Sequence, residues 1–173
     1  MKEKIKEIYA EAQRKTTKKD IAVLMITDDR TLLVLDTISD AGVKTLPYGT
    51  KSLTADYFRH TPPTEGEIEA AITIVEDEIM PHVADIRTRD LQLVSPDKGI
   101  AEIMGYATDS KESMSVADVE GVFSRLAAII TGRPASMDNL PADNDFVSQV
   151  LILREVMHHL RFGNILIYAS EMD

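Results

Sequence analysis

The sequence predicts a single α/β domain whose core is a mixed five-stranded sheet with helices on both faces. Residues 20–49 contain three β-rich apolar runs separated by short turns, which is typical of an antiparallel meander. Beyond residue 50, helical periodicity alternates with two more short apolar runs, as in strands that are joined through helical crossovers. A length of 173 residues fits one domain, with an N-terminal helix (1–17) ahead of the main body (20–173).

The N-terminal part predicts one helix followed by the meander. Apolar residues at helical spacing give the first helix one buried face, formed by Ile5, Ile8, Tyr9 and Ala12. The three predicted strands cover 21–27, 31–38 and 43–49. Asp28-Asp29 forms the first tight turn and residues 39–42 form the second.

The middle of the chain predicts two helices and a strand. A short helical segment ends near His60. Thr64 and Glu67 form a capping box, because the hydroxyl of the first and the carboxylate of the second each accept a bond from the other's backbone N–H. The long helix that they open ends before Pro81, and residues 91–94 form a short buried strand.

The C-terminal part predicts three helices and a last strand. The helices cover 98–104, 115–130 and 146–160, with Ser115 and Asp118 opening the second. Either Asp143 or Asp145 caps the third helix, Gly163 ends it, and 164–169 forms the final strand. The resulting order, β-β-β-α-β-α-α-β, is that of a ribonuclease-H-like domain.

Composition indicates a soluble, cytoplasmic protein. The chain is 44% hydrophobic and 28% charged, as globular proteins are, and it has no cysteine, which excludes disulfides, thiolate zinc sites and a cysteine nucleophile. No apolar run approaches the ~20 residues of a membrane span, and the N-terminus lacks a signal core. We therefore expect no membrane partner.

The charge balance argues against polyanionic partners. With 29 acidic and 19 basic residues, the net charge of −10 provides no general field for nucleic acid or polyphosphate, and 5% aromatic residues are too few for a base-stacking surface. The one basic run, Arg14-Lys15 with Lys18-Lys19, is either a solvated helix end or a contact site.

Three stretches carry a family resemblance: LPYGTKSLTADYFRHTPPTEGEIEAA (46–71), MSVADVEGVFSRLAAI (114–129) and VLILREVMHHLRFGNILIYA (150–169). In this order and at these separations they resemble the second half of the exopolyphosphatase / guanosine-pentaphosphate phosphohydrolase (Ppx/GppA) family. That family is a branch of the actin-like ATPase superfamily. The resemblance implies a ribonuclease-H-like fold in which helices cover both faces of the sheet.

The resemblance places a degenerate phosphate loop at the first hairpin. The family pattern there is Asp-x-Gly-Gly-Gly-Ser-Thr-Glu, whose glycines let backbone N–H groups approach phosphate oxygens. The position corresponds here to Thr27, Asp28, Asp29, Arg30 and Thr31. Met25 stands for the leading Asp and Leu32 for the Glu, so only Thr31 is retained.

Two carboxylates in this loop would repel phosphate in a closed cleft. Arg30 can offset one of them. The alternative interpretation makes Asp28 and Asp29 a metal site, although adjacent acids at a hairpin tip usually serve the turn itself. We therefore expect a turn, with no metal and no cofactor.

The other positions that the resemblance marks point the same way. Ser52 and Asn144 stand where the family has arginines. Lys98 and Gly99 form a possible anion-binding turn at a helix start, with a plain helix cap by Pro96-Asp97 as the alternative. Arg154 and Glu155 are retained on an apolar helix, where a structural ion pair is expected.

The histidines predict no metal site. They are His60, His82, His158 and His159. The last two are neighbours, so on a helix their side chains point about 100° apart and cannot form a paired ligand set.

The resemblance covers only the family's second half, so the first domain with its catalytic glutamate has no counterpart, and we expect no catalytic residue. The predicted function is a non-catalytic binding or protein-interaction module. The surface that contacts the first domain in the family is uncovered here, so we expect it to bind a second copy of the chain, as a homodimer, or another protein chain. Two alternatives remain. One is half of a split phosphohydrolase acting on polyphosphate or guanosine pentaphosphate, for which a divalent metal is possible. The other is a nucleotide-sensing regulator.

Overall fold

A computed structural model describes residues 2–141 and 143–170 as a six-stranded mixed sheet packed between helices. The strands are β1 (Ile21–Ile26), β2 (Thr31–Val34), β3 (Val43–Leu46), β4 (Gln92–Ser95), β5 (Ser113–Ser115) and β6 (Asn164–Ile167). The helices are α1 (Lys2–Lys15), α2 (Thr50–Tyr57), α3 (Glu65–Ile79), α4 (Val83–Arg87), α5 (Lys98–Ala107), α6 (Val116–Ile130) and α7 (Asn144–Leu160).

The sheet has the order β3-β2-β1-β4-β6-β5. Strands β1 to β3 form the expected antiparallel meander, and β4 and β6 add to β1 in parallel. The ribonuclease-H-like arrangement that the sequence predicts is therefore confirmed. The second strand follows the expected tight turn, whereas a longer connection that ends in a short 3-10 helix (Asp40–Gly42) precedes the third, and both strands are shorter than predicted.

The prediction of five strands was wrong by one. The additional strand, β5, pairs antiparallel with β6 at the edge of the sheet. It has three residues, of which only Met114 is buried. A segment this short shows no alternation of apolar and polar residues, so its strand character depends on the partner strand rather than on its own sequence.

Helices cover both faces of the sheet, and each face has its own apolar cluster. On one face the helices α2 to α7 bury the larger cluster. On the other face α1 covers a smaller cluster, in which Ile8 and Ala12 pack against Val23, Val34 and Val94. Because α1 lies on this face, the N-terminal helix is part of the folded domain. None of the helices described is both long enough and apolar enough to cross a bilayer.

Helix α7 is the central helix of the larger cluster. Its core-facing residues run from Phe146 to Leu160, and most of them are buried, which explains why apolar residues occur all round this helix. Asp143 rather than Asp145 caps its N-terminus. The helix ends at Leu160, as predicted, but the residue that terminates it is Arg161, which adopts a left-handed conformation (φ 60°), and not Gly163.

Candidate functional site

Three helix N-termini meet the first hairpin at one edge of the sheet. This edge, called the carboxyl edge below, comprises the hairpin tip 27–30, the start of α2 (49–52), the start of α5 (97–100) and the start of α7 (143–149). It forms where the parallel strands β1 and β4 end, which is where α/β sheets usually bind ligands. Four of the five residues of the predicted degenerate phosphate loop (27–30) and both residues of the predicted anion-binding turn lie here, whereas Thr31 is the buried first residue of β2.

The hairpin tip is held by its own hydrogen bonds. The N–H and the hydroxyl of Thr27 both donate to the carbonyl of Arg30, each at 2.9 Å. The guanidinium of Arg30 bonds Asp29 Oδ2 at 2.6 Å. This contact lowers the pKa of Asp29 and raises that of Arg30. At the loop's end the hydroxyl of Thr31 donates to the carbonyl of Tyr48.

The second carboxylate of the tip also has a cationic partner. Lys51 Nζ lies 2.7 Å from Asp28 Oδ2, and the contact raises the pKa of Lys51. Both side chains are about two-thirds exposed (64% and 67%), so the pair contributes little to stability. Arg30 and Lys51 thus offset one carboxylate each. Among the described residues no group of three or more histidine, aspartate or glutamate side chains could hold a metal ion.

The N-terminus of α2 donates to the hairpin instead of facing solvent. The N–H of Thr50 bonds the carbonyl of Thr27 at 2.9 Å, and those of Lys51 and Ser52 bond the carbonyl of Asp28 at 2.9 and 3.0 Å. Helix N-termini bind anions through such N–H groups. Here the hairpin carbonyls occupy three of them.

The N-terminus of α5 is closed by Asp97. Its Oδ1 accepts from the N–H groups of Gly99 (2.9 Å) and Ile100 (3.4 Å) and from Gln149 Nε2 (3.2 Å). Its Oδ2 accepts from the N–H of Ile26 at 2.9 Å. Burial raises the pKa of Asp97, while these four bonds favour the ionised form. Lys98 is exposed at the first position of the helix.

Sequence reasoning treated Asp97 only as a possible helix cap. Its position between a strand and a helix indicates a cap, but Ile26 and Gln149 lie 71 and 52 residues away from it. No local pattern could connect these donors to one carboxylate.

The N-terminus of α7 is closed in the same way. Asp143 Oδ1 accepts from the N–H of Phe146 at 2.8 Å, and its carbonyl accepts from Val147 at 3.4 Å. Asn144, at the place of a family arginine, donates from Nδ2 to the carbonyl of His60 at 2.7 Å. All three helix starts at the carboxyl edge therefore donate to groups of the same chain.

A small cavity of about 170 Å³ opens between α2, α5 and α7. Its lining consists of Thr50, Glu102, Asp143, Asp145, Phe146 and Gln149. Three of these six residues carry carboxylates and none carries a cation. The cavity therefore has a negative field, which disfavours phosphate.

The histidines do not form a common site among the described residues. His60 Nδ1 pairs with Glu67 at 3.0 Å, and His159 Nε2 pairs with Glu155 at 3.0 Å. Burial lowers the pKa of His82, which is close to Lys44. His158 packs edge-on against the ring of His159.

Arg154 and Glu155 form the structural ion pair that the sequence predicts. Glu155 is only 2% exposed. Arg154 also bonds Glu120 at 2.8 Å, and its guanidinium lies 4.4 Å from the ring centre of Phe123. The group lies among the packed helices and does not reach the carboxyl edge.

No protein-family model matches the sequence, and no curated protein matches it significantly. Solved structures do match. A crystal structure of the Ppx/GppA phosphatase of Aquifex aeolicus (type II variant) has a TM-score of 0.68 and 14% identity, over 87% of this chain and 53% of that one. An exopolyphosphatase from Cytophaga hutchinsonii has a TM-score of 0.65 and 14% identity, over 92% and 57%.

A further Aquifex aeolicus PPX-GPPA enzyme structure has a TM-score of 0.65 and 15% identity, over 87% of this chain and 53% of that chain. The chain thus spans little more than half the length of the structures that it matches. At these identities the similarity establishes the fold. The chain has the ribonuclease-H-like, actin-like ATPase fold found in Ppx/GppA phosphatase structures.

Proposed function

We propose that this chain is a non-catalytic relative of the exopolyphosphatase-type domain and that it acts by binding another protein chain, with a second copy of itself as the first candidate. One observation supports the loss of phosphate chemistry. The three helix starts at the carboxyl edge donate to Thr27, Asp28, Asp97 and Asp143, which belong to the chain itself.

Phosphoryl transfer requires donors and cations that are aimed at the phosphate oxygens before the reaction begins. At the carboxyl edge the two cations of the hairpin region, Arg30 and Lys51, are already paired with Asp29 and Asp28. A phosphate would have to displace the hairpin carbonyls from the N–H groups of α2, and the loss of these backbone bonds would offset the energy gained. The edge is therefore unsuited to catalysis in the form in which it folds.

The charge pattern supports a contact with a second copy. Arg30, Lys51, Asp28 and Asp29 place both signs side by side on one exposed edge. A two-fold contact can exchange such pairs between copies, because the same surface then meets itself. The large apolar side chains that are most exposed in the described segments, Ile38, Met80 and Met137, lie on three separate segments, so the proposal relies on charge rather than on an apolar face.

The second candidate is one half of a split phosphohydrolase. The observation that favours it is the fold match to Ppx/GppA phosphatase structures, of which this chain spans 53% in the Aquifex aeolicus case. A separately encoded first domain would then supply the missing groups. A nucleotide-sensing regulator is the third candidate.

Calorimetry of the purified chain with tripolyphosphate, ATP and guanosine tetraphosphate, each with and without Mg²⁺, separates these functions. We expect no saturable heat with any of them, and light scattering that shows a dimer whose affinity falls as the salt concentration rises, because the exchanged ion pairs lie on an exposed edge and are screened. Binding of a nucleotide alone supports the sensor. Phosphate release on addition of a first domain supports the split enzyme and contradicts our proposal.

A further inference from the structure

We infer that the carboxylate of Asp97 acts as an internal ligand in an anion site formed by β1, α5 and α7, and that it thereby excludes inorganic phosphate and sulfate from this site. The inference depends on the proposed function, in which the carboxyl edge binds no phosphate. Asp97 is the residue that accepts the N–H groups at the start of α5, in the part of the carboxyl edge beyond the hairpin.

The donors around Asp97 exceed what a helix cap requires. A capping carboxylate accepts from one or two N–H groups of its own helix, as Asp97 does with Gly99 and Ile100. Two further donors come from elsewhere: the N–H of Ile26 at the end of β1 and the side-chain amide of Gln149 on α7. Converging donors from several elements are how proteins bind oxyanions.

The position of the fourth donor, the side-chain amide of Gln149, is fixed by its packing against Gly99. A Cβ on Gly99 would lie 2.2 Å from Gln149 Nε2, so the amide packs directly over the bare backbone of residue 99. Gly99 permits this approach, and the approach brings Gln149 within 3.2 Å of Asp97. Close packing against Gly99 therefore holds the side chain of Gln149 in the position from which it donates to Asp97.

The charges at this place favour an internal ligand over a free one. Asp97 brings one negative charge that is covalently attached, so no translational freedom is lost when it is bound. Glu102 and Asp145 line the adjacent cavity and repel a free phosphate of higher charge. Desolvation raises the pKa of Asp97, and the four bonds to the attached carboxylate oppose this shift in part.

The test removes the carboxylate of Asp97 but keeps a side chain that can cap α5. Asp97→Ser retains an N-cap hydroxyl for α5 but withdraws the charge and the contacts to Ile26 and Gln149. The matched control is Asp143→Ser at α7, which likewise withdraws a capping carboxylate from the carboxyl edge but leaves the donors around Asp97 in place. Phosphate and sulfate are titrated against each protein at constant ionic strength by calorimetry.

We expect saturable binding of phosphate and sulfate to D97S with at least about tenfold higher affinity (~1.4 kcal/mol) than to the wild type or D143S. A folded D97S that binds no better than D143S overturns the inference but leaves the proposed function intact. Phosphate binding by the wild type contradicts the proposed function as well.

If D97S does not fold, amide hydrogen exchange of the wild type provides the test. The N–H groups of Ile26 and Gly99 are then expected to exchange as slowly as that of Leu24 in the centre of β1, because both donate to the partly buried carboxylate of Asp97. Exchange of either amide at the rate of a solvent-exposed loop overturns the inference.

Discussion

Gly49 lies so close to the carbonyl of Thr27 that a Cβ at residue 49 would stand 2.1 Å from that oxygen. This approach lets the first turn of α2 reach the hairpin carbonyls. Since the obstructing atoms are backbone atoms, they cannot move aside as a flexible side chain could. The closure of the carboxyl edge therefore depends on a glycine at this position.

Gly49→Ala is expected to destabilise the protein by about 1–3 kcal/mol, because the hairpin and α2 must separate. Urea unfolding measures the change. The matched control is Gly121→Ala in the exposed middle of α6, where a Cβ meets nothing within 4 Å. Removal of a helical glycine should stabilise that variant by about 0.5–1 kcal/mol. Equal effects of the two substitutions would contradict the close packing at Gly49.

Asp138 predicts a dependence of stability on pH. The guanidinium of Arg125 lowers the pKa of Asp138 to about 2. A carboxyl group whose folded-state pKa is depressed stabilises the fold above its unfolded pKa, about 3.9, and this stabilisation is lost as the pH falls towards 2. Asp138→Asn should therefore lower Tm at pH 7, with the difference disappearing near pH 2. The exposed Asp40 provides the control, and D40N should leave Tm nearly unchanged at both pH values.

Glu155 tests the ion pair inside the helix layer. Glu155→Ala leaves Arg154 and His159 without their buried partner and is expected to cost about 3–5 kcal/mol in chemical denaturation. Glu120 contacts Arg154 from a more exposed position (38%), so Glu120→Ala should cost about 1 kcal/mol or less. A small effect of E155A would show that the buried pair is dispensable.

The packing of α1 against the second face of the sheet gives a further test. Ile8→Ala removes a side chain that is 9% exposed and packs in the smaller cluster, so we expect a loss of about 2 kcal/mol. Ile38→Ala removes the same atoms from a position that is 94% exposed and should change the free energy of unfolding by less than about 0.5 kcal/mol. If the two variants unfold alike, α1 does not contribute to the core.

The fold could be predicted from local patterns wherever those patterns were strong. The capping boxes at Thr64–Glu67 and Ser115–Asp118 are both present, because each depends on residues only three positions apart. The edge strand around Met114 was missed, because its pairing with β6 is a long-range contact.

The candidate site could be predicted less well, for the same reason. The sequence places Arg30 next to Asp29, and this pair forms. The partner of Asp28 is Lys51, 23 residues away, and the donors of Asp97 come from three elements. Sequence alone therefore indicated that Arg30 offsets only one of the two carboxylates of the hairpin tip, whereas in the folded chain Lys51 pairs with the other one.

The most direct test of the closed carboxyl edge is a ¹H–¹⁵N NMR titration of the wild-type chain with tripolyphosphate in the presence of Mg²⁺. The amides of Thr50, Lys51, Gly99 and Ile100 report on the two helix starts. We expect the chemical shifts of these amides to change no more than in a titration with chloride at matched ionic strength. The reason is that these N–H groups already donate to carbonyls of the hairpin and to Asp97. A saturable shift of these four amides would mean that the edge admits phosphate, and the account would be wrong.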